Sequence, residues 1–260
     1  MAVFFGGLRV PWYARGMRKA EWGVFGLVVL LVSLSPGAAA AQEVGESVTV
    51  RENQSGDFYA AGQEVVLQGD VEGDAVLAGG TVRVTGAVSE DLIAAGGTVN
   101  VTGDVADDVR LAGGEVTLGS NVGGHAVISG GSVVVESDAT IQDWAWLAGG
   151  SVEVEGVVNG ELRVAAGEIE ISGRVEGDVD LAGGEIEIED GAVINGNLTW
   201  RSSAAPEIGA GVTISGDVIE GEPIPGLESE PSSAWLQGLF TLLTLIVSAG
   251  VFYTLFRVPL

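Results

Sequence analysis

A short phrase, Leu-Ala-Gly-Gly-x-Val-x-Val in its cleanest form, occurs ten times along this chain and limits its fold more than any single side chain does. It is plain at Leu77 to Val84, Leu111 to Leu118 and Leu181 to Ile188. Taking the first glycine of the pair as anchor, the copies sit at Gly45, Gly62, Gly79, Gly96, Gly113, Gly130, Gly149, Ala166, Gly183 and Gly209. At Ala166 an alanine replaces the first glycine and Gly167 keeps the second. Seven of the nine gaps are 17 residues, one is 19 and the last is 26. A period this short, with alternating β-branched residues after a glycine, is the signature of a solenoid in which each repeat makes one coil.

Aligned in columns, the repeats expose a core. Three residues after the anchors stand Val48, Val65, Val82, Val99, Val116, Val133, Val152, Ile169, Ile186 and Val212. Five after stand Val50, Leu67, Val84, Val101, Leu118, Val135, Val154, Ile171, Ile188 and Ile214. The residues between them are mostly polar, which is the period of two expected of a strand with one buried face. A second strand carries Val71, Val88, Val105, Val122, Ile141, Val158 and Val175, eight residues before the next anchor. A third, shorter one turns Leu77, Leu111, Ile128, Leu147, Val164 and Leu181 inward, and Gly-Asp pairs such as Gly69-Asp70 and Gly103-Asp104 supply corners. The expected fold is all-β: a parallel β-helix of about ten 17-residue coils with three short strands each, over residues 42–219. At about 4.8 Å per coil the rod would be on the order of 45 Å long. A trimeric β-spiral and a left-handed hexapeptide helix are the alternatives. The latter repeats in sixes, hence about 18 per coil, and handedness cannot be read from the pattern.

Charge and the chain ends bear on location. Between Gln42 and Ser233 there are 35 acids against six arginines, a net of −29, which excludes a phosphate backbone as partner and so nucleic acid. Without cysteine there is neither a disulfide framework nor a thiolate metal site. Arg15, Arg18 and Lys19 precede an apolar run from Trp22 to Leu34 and then Ala38-Ala39-Ala40-Ala41, so residues 1–41 read as a secretory signal, with Met17 as an alternative start. The 22 residues from Trp235 to Phe256 carry no charge, enough for a transmembrane helix over 234–257, with Arg257 favouring a cytoplasmic tail. A Pro-containing linker, 220–233, separates it from the repeats. Both signals place the repeats on the extracytoplasmic side of the cell membrane.

The stretch Ser172-Gly173-Arg174-Val175-Glu176-Gly177-Asp178-Val179, followed by Ile186-Glu187-Ile188-Glu189-Asp190-Gly191-Ala192-Val193-Ile194-Asn195-Gly196-Asn197, resembles the repeat of the bactofilins, the polymer-forming cytoskeletal proteins of bacteria. The resemblance covers roughly Gly45 to Val218. It implies a right-handed β-helix that polymerises end to end without nucleotide and acts as a scaffold at the cell envelope. Familiar bactofilins are cytoplasmic with disordered tails, whereas this chain carries a signal, an anchor and an acidic coat.

Several residues stand out from the repeat. Five before each anchor runs the column Asp57, Asp74, Asp91, Asp108, His125, Trp144, Glu161 and Asp178. Four stacked aspartates would raise one another's pKa or hold a Ca²⁺ or Mg²⁺ ion, and they also suit plain corners. The 19-residue coil holds Trp144 and Trp146, both expected to face outward. With Val76, Ile93 and Val127, Trp146 forms a partly apolar strip for contact with another copy or a partner, unless Arg163 covers it by a cation–π contact. No catalytic constellation or cofactor motif emerges, so the expectation is not an enzyme and no cofactor. The leading expectation is a membrane-anchored scaffold that self-associates through an uncapped N-terminal coil. The alternative is an envelope binding module for divalent cations or cell-wall polysaccharide, and a polysaccharide-active enzyme ranks third.

Overall fold

The structure is a computed structural model that describes residues 4–5, 8–9 and 41–222. The chain divides into two units, Met1–Ala38 and Ala39–Leu260. In the first, Phe4–Phe5 and Leu8–Arg9 pair antiparallel. The second is a parallel β-solenoid of about ten turns. Residues 10–40 of the expected signal segment, the linker beyond residue 222 and the span at 234–257 lie outside the described residues. Among the described residues no helix is long and apolar enough to cross a membrane.

Nine ten-residue strands form the main sheet: Ala41–Val50, Phe58–Leu67, Ala75–Val84, Leu92–Val101, Val109–Leu118, Ala126–Val135, Ala145–Val154, Leu162–Ile171 and Val179–Ile188. Each pairs in parallel with the next coil, as Leu77 with Ala94 and Val82 with Val99. The expected first and third strands are thus one continuous strand, interrupted at the glycine pair, where Gly79 pairs with Gly96 and pairing resumes at Thr81 with Thr98. The expected second strand is only two residues long from Asn121–Val122 onward, and before that single bridges join Gln54, Val71, Val88, Val105 and Val122.

The second glycine of the pair never varies from Gly79 to Gly183, while the first gives way once, at Ala166. A Cβ on Gly97, Gly114, Gly131 or Gly150 would lie 2.7–2.8 Å from the glycine carbonyl of the preceding coil. At the first position the nearest atoms would be 2.9–3.1 Å away for Gly79, Gly96, Gly113, Gly130 and Gly149 but 2.6 Å for Gly62 and Gly183, and Ala166 fits its methyl there fully buried.

The inward columns three and five residues after the anchor, two before it and eight before the next form one continuous core, with Val65, Leu67, Leu77 and Val71 at most 1% exposed. A further column, four before the anchor, holds Phe58, Ala75, Leu92, Val109, Ala126, Ala145, Leu162, Val179 and Leu198, none above 1% exposed. It compensates its neighbour two residues on: Phe58 with Ala60, Ala75 with Leu77, Leu92 with Ala94, Ala126 with Ile128, Ala145 with Leu147. Wherever alanine stands at one of the two positions a large side chain stands at the other, as a core that tolerates neither void nor overlap requires, while Leu162 with Val164 and Val179 with Leu181 fit two sizeable aliphatics.

The tenth repeat is not where the phrase at Gly209 places it. Glu207–Ile208 pairs with Glu187–Ile188, so Ile208, not Ile214, continues the column five after the anchor. Thr213–Ile214 pairs with Val193–Ile194, which puts Ile214 in the column of Val71 and Val175. Val218–Glu220 is the last described main-sheet rung, paired in parallel on the rung before it, Leu198–Arg201. Residues 202–206 replace the second half of the latter, because Pro206 lacks a donor and no glycine pair follows Arg201. The added residues have a common form: the N–H groups of Ala139, Ala192 and Val212 donate to the carbonyls of Glu136, Glu189 and Gly209, making the same expanded turn three times at one corner. In the second of these, Gly191 takes a φ of 94° that favours glycine.

Candidate functional site

The four aspartates do stack. Each Oδ1 accepts the backbone N–H of its successor in the column: Asp57 from Asp74 at 3.2 Å, Asp74 from Asp91 at 3.1 Å, Asp91 from Asp108 at 3.2 Å, and Asp108 from His125 at 2.9 Å. Asp178 and Asn197 repeat the bond further along, to Asn197 at 2.7 Å and Asp217 at 2.9 Å. The aspartates are therefore a side-chain ladder that satisfies N–H donors at the corner where strand pairing begins. Burial raises the carboxyl of Asp74, and the Asp91 N–H opposes this, while the charges of Asp57, Asp91 and Glu90 add to it. The Tyr59 hydroxyl beside them is also raised, by burial and then by Asp57 and Asp74.

Only Asp91 and Asp108 of the four join a carboxylate group compact enough for a cation, and their companion is Asp107, with all three oxygens within 4.8 Å of one another. Asp57 and Asp74 lie outside that group. Arg110 already bridges it, from Nη1 to Asp91 at 3.0 Å and from Nη2 to Asp108 at 3.1 Å. Sequence reasoning missed this clamp because Asp107 and Arg110 stand in other columns. The signal was there in Arg110, the basic residue two places beyond Asp108.

From the clamp a row of planar groups runs along the rod. Arg110 Nη2 is 3.4 Å from His125 Nε2, and His125 Nδ1 is 2.7 Å from Asp108 Oδ1. A guanidinium only donates, so Nε2 is the acceptor in the first contact and Nδ1 faces the Asp108 carboxylate in the second. The ring stacks on Trp144 at 4.1 Å and 10°, Trp144 meets Trp146 at 4.8 Å and 45°, and Arg163 sits 5.4 Å over Trp146. The cation–π cover is thus present, and Arg163 is held in turn by Glu161 at 2.6 Å.

The apolar strip is smaller than expected. Trp146 is 46% exposed, but Trp144 and Val76 are half-buried and Ile93 is buried at 3%. Ile93 pairs with Arg110, whose side chain reaches back to Asp91 beside it, so the arginine stem roofs the isoleucine. Ile93 is therefore no contact residue.

On the adjoining face of the C-terminal half, Glu153, Glu170 and Glu187 stack in register. Burial raises Glu153, followed by its hydrogen bond and charge contact with Glu155 and the charge of Glu189. It raises Glu170 as well, followed by the charges of Glu189 and Glu153.

Apart from Trp146, the exposed large apolar groups among the described residues stand at the ends. Val44 is 62% exposed in the first coil, yet Val48 and Val50 there are only 5% and 4% exposed. At the last coil Ile208 is 42%, Val218 52% and Ile219 45% exposed, although Ile208 and Val218 occupy core columns. Among the described residues the exposed core-column positions are those of the last coil. No family model, curated protein or solved structure matches this chain.

Proposed function

We propose that this chain is a β-helical scaffold of the cell envelope, held to the membrane by residues 234–257 with its repeats outside, that self-associates end-on without nucleotide. One observation carries the reading: Ile208 and Val218 continue core columns whose other members are almost wholly buried, yet both are about half exposed. A core cut open in this way gains by docking against another coil, roughly 1.5–3 kcal/mol for each fully buried aliphatic. Among the described residues Val218–Glu220 is the outermost strand of the sheet, and such an edge offers strand pairing as well. The bactofilin resemblance supports the same conclusion, including its right-handed coil, and confinement to one membrane plane would raise the effective concentration.

The test is sedimentation of the full chain in nonionic detergent beside Ile208→Asp and Val218→Asp. Assembly by the parent and its loss in both variants, with unchanged far-ultraviolet circular dichroism, is the expected result. Assembly that survives both substitutions refutes the end-on mechanism.

A second reading, an envelope module for divalent cations or cell-wall polysaccharide, draws on Asp91, Asp107 and Asp108. Arg110 competes for that position, and the indole faces needed for sugar stacking are taken by His125 and Arg163. A rise in melting temperature with millimolar CaCl₂ but not with NaCl would favour it.

A further inference from the structure

The apolar end of the last coil is ringed by acid. Glu207 adjoins Ile208, Asp217 precedes Val218, and Glu220 and Glu222 follow Ile219; all four are exposed. The arginine of that rung, Arg201, is committed to Asp180 in the coil below. At the other end of the rod Glu43, Glu46 and Glu52 are exposed, with Arg51 as the one basic residue among them. Tail-to-tail docking sets the four C-terminal carboxylates against their own copies. Head-to-tail docking, continued in register, sets Val218 on Ala41 and Glu220 on Glu43, since Ala41 pairs with Phe58 in the column that ends at Leu198 and Val218. Acid meets acid in both geometries. Attraction at this end is apolar and short-ranged, whereas repulsion reaches out to a Debye length.

We infer that end-on association, as read in the preceding subsection and resting on that reading, is gated by ionic strength: the acidic ring of Glu207, Asp217 and Glu220 holds copies apart in dilute salt and releases them when screened. The partner at this surface is a second copy of the chain. Ordinary charge-complementary interfaces weaken in salt, so the sign of the response is diagnostic.

The experiment is sedimentation of the full chain in nonionic detergent from about 0.01 to 1 M NaCl, over which the screening length falls from about 30 to about 3 Å. The dissociation constant should fall about tenfold or more. The combined variant Glu207→Gln, Asp217→Asn, Glu220→Gln should associate in dilute salt as tightly as the parent does in concentrated salt, with a flattened response. Parent association that is equal or weaker at 1 M NaCl overturns the gate, as does a variant that keeps the parent's salt response. Monomers of parent and variant under every condition overturn the self-association reading, and the gate with it.

Discussion

Exchanging the volumes of Leu92 and Ala94 tests the packing rule that shapes this core. Both are fully buried, two residues apart on one strand, and share a corner of the coil. Leu92→Ala alone empties that corner and should cost about 3 kcal/mol. Ala94→Leu alone forces extra carbons against Leu92 and should cost about 1–3 kcal/mol. Together they recreate an arrangement already present, in which Ala126 with Ile128 stacks on Ala145 with Leu147. The double variant should then lose no more than about 2 kcal/mol, a favourable coupling of about 2 kcal/mol or more. Urea unfolding followed by far-ultraviolet circular dichroism measures all four corners of the cycle, provided the slope m stays constant. Single costs that add to within about 0.5 kcal/mol would show that the two positions do not share space, and the rule would fall.

Asp74→Asn should stabilise the rod at neutral pH. Burial raises the native carboxyl of Asp74 above its unfolded value, so its stability contribution is fully present below the unfolded pKa and is lost as pH rises through the folded one. Asparagine keeps the acceptor, as Asn197 does in the same ladder, and thermal melts should show its advantage over the parent shrinking as pH falls through the carboxylate range. Arg110→Gln removes both bonds of the clamp and leaves three close carboxylates without their cation, at a cost of about 1–3 kcal/mol by urea unfolding. An unchanged midpoint would mean that solvent already screens the cluster. Trp146→Ser strips the cation–π partner from Arg163, should cost about 0.5–1 kcal/mol, and should leave sedimentation unchanged if copies join through the ends. A smaller species would reinstate the lateral strip.

The solenoid was legible because its inward columns are uniformly aliphatic: Val82, Val84 and Val88 announce their faces by period alone. The column of Phe58, Ala75 and Leu92 was not, because alanine at Ala75, Ala126 and Ala145 hides a core position from any hydrophobicity pattern. Gly209 misled for the opposite reason. Gly209-x-x-Val212-x-Ile214 copies the phrase, but strand pairing gives Ile208 the place of Ile188, and only the 20-residue spacing between Ile194 and Ile214 hinted at the shift. The aspartate column followed from spacing, whereas its role did not. Spacing brings Asp74 next to Asp91, and only geometry shows that the oxygen meets a backbone N–H rather than an ion. The stack of His125 on Trp144 follows from their shared column, while the clamp by Arg110 joins different columns and needed three dimensions.

The stacking of coil on coil makes the rod's length come in steps. Because each coil touches only the coils above and below, residues can be removed in whole turns without disturbing the rest. From Phe58 to Leu111, however, large and small exchange places at every coil: Phe58 with Ala60, then Ala75 with Leu77, then Leu92 with Ala94, then Val109 with Leu111. Excising 17 residues here sets like on like, an arrangement that Ala126 with Ile128 on Ala145 with Leu147 already accommodates, and shortens the rod by about 5 Å. The smallest interchangeable unit is therefore one turn, and a lineage that adjusted its reach by duplication would do so in that increment.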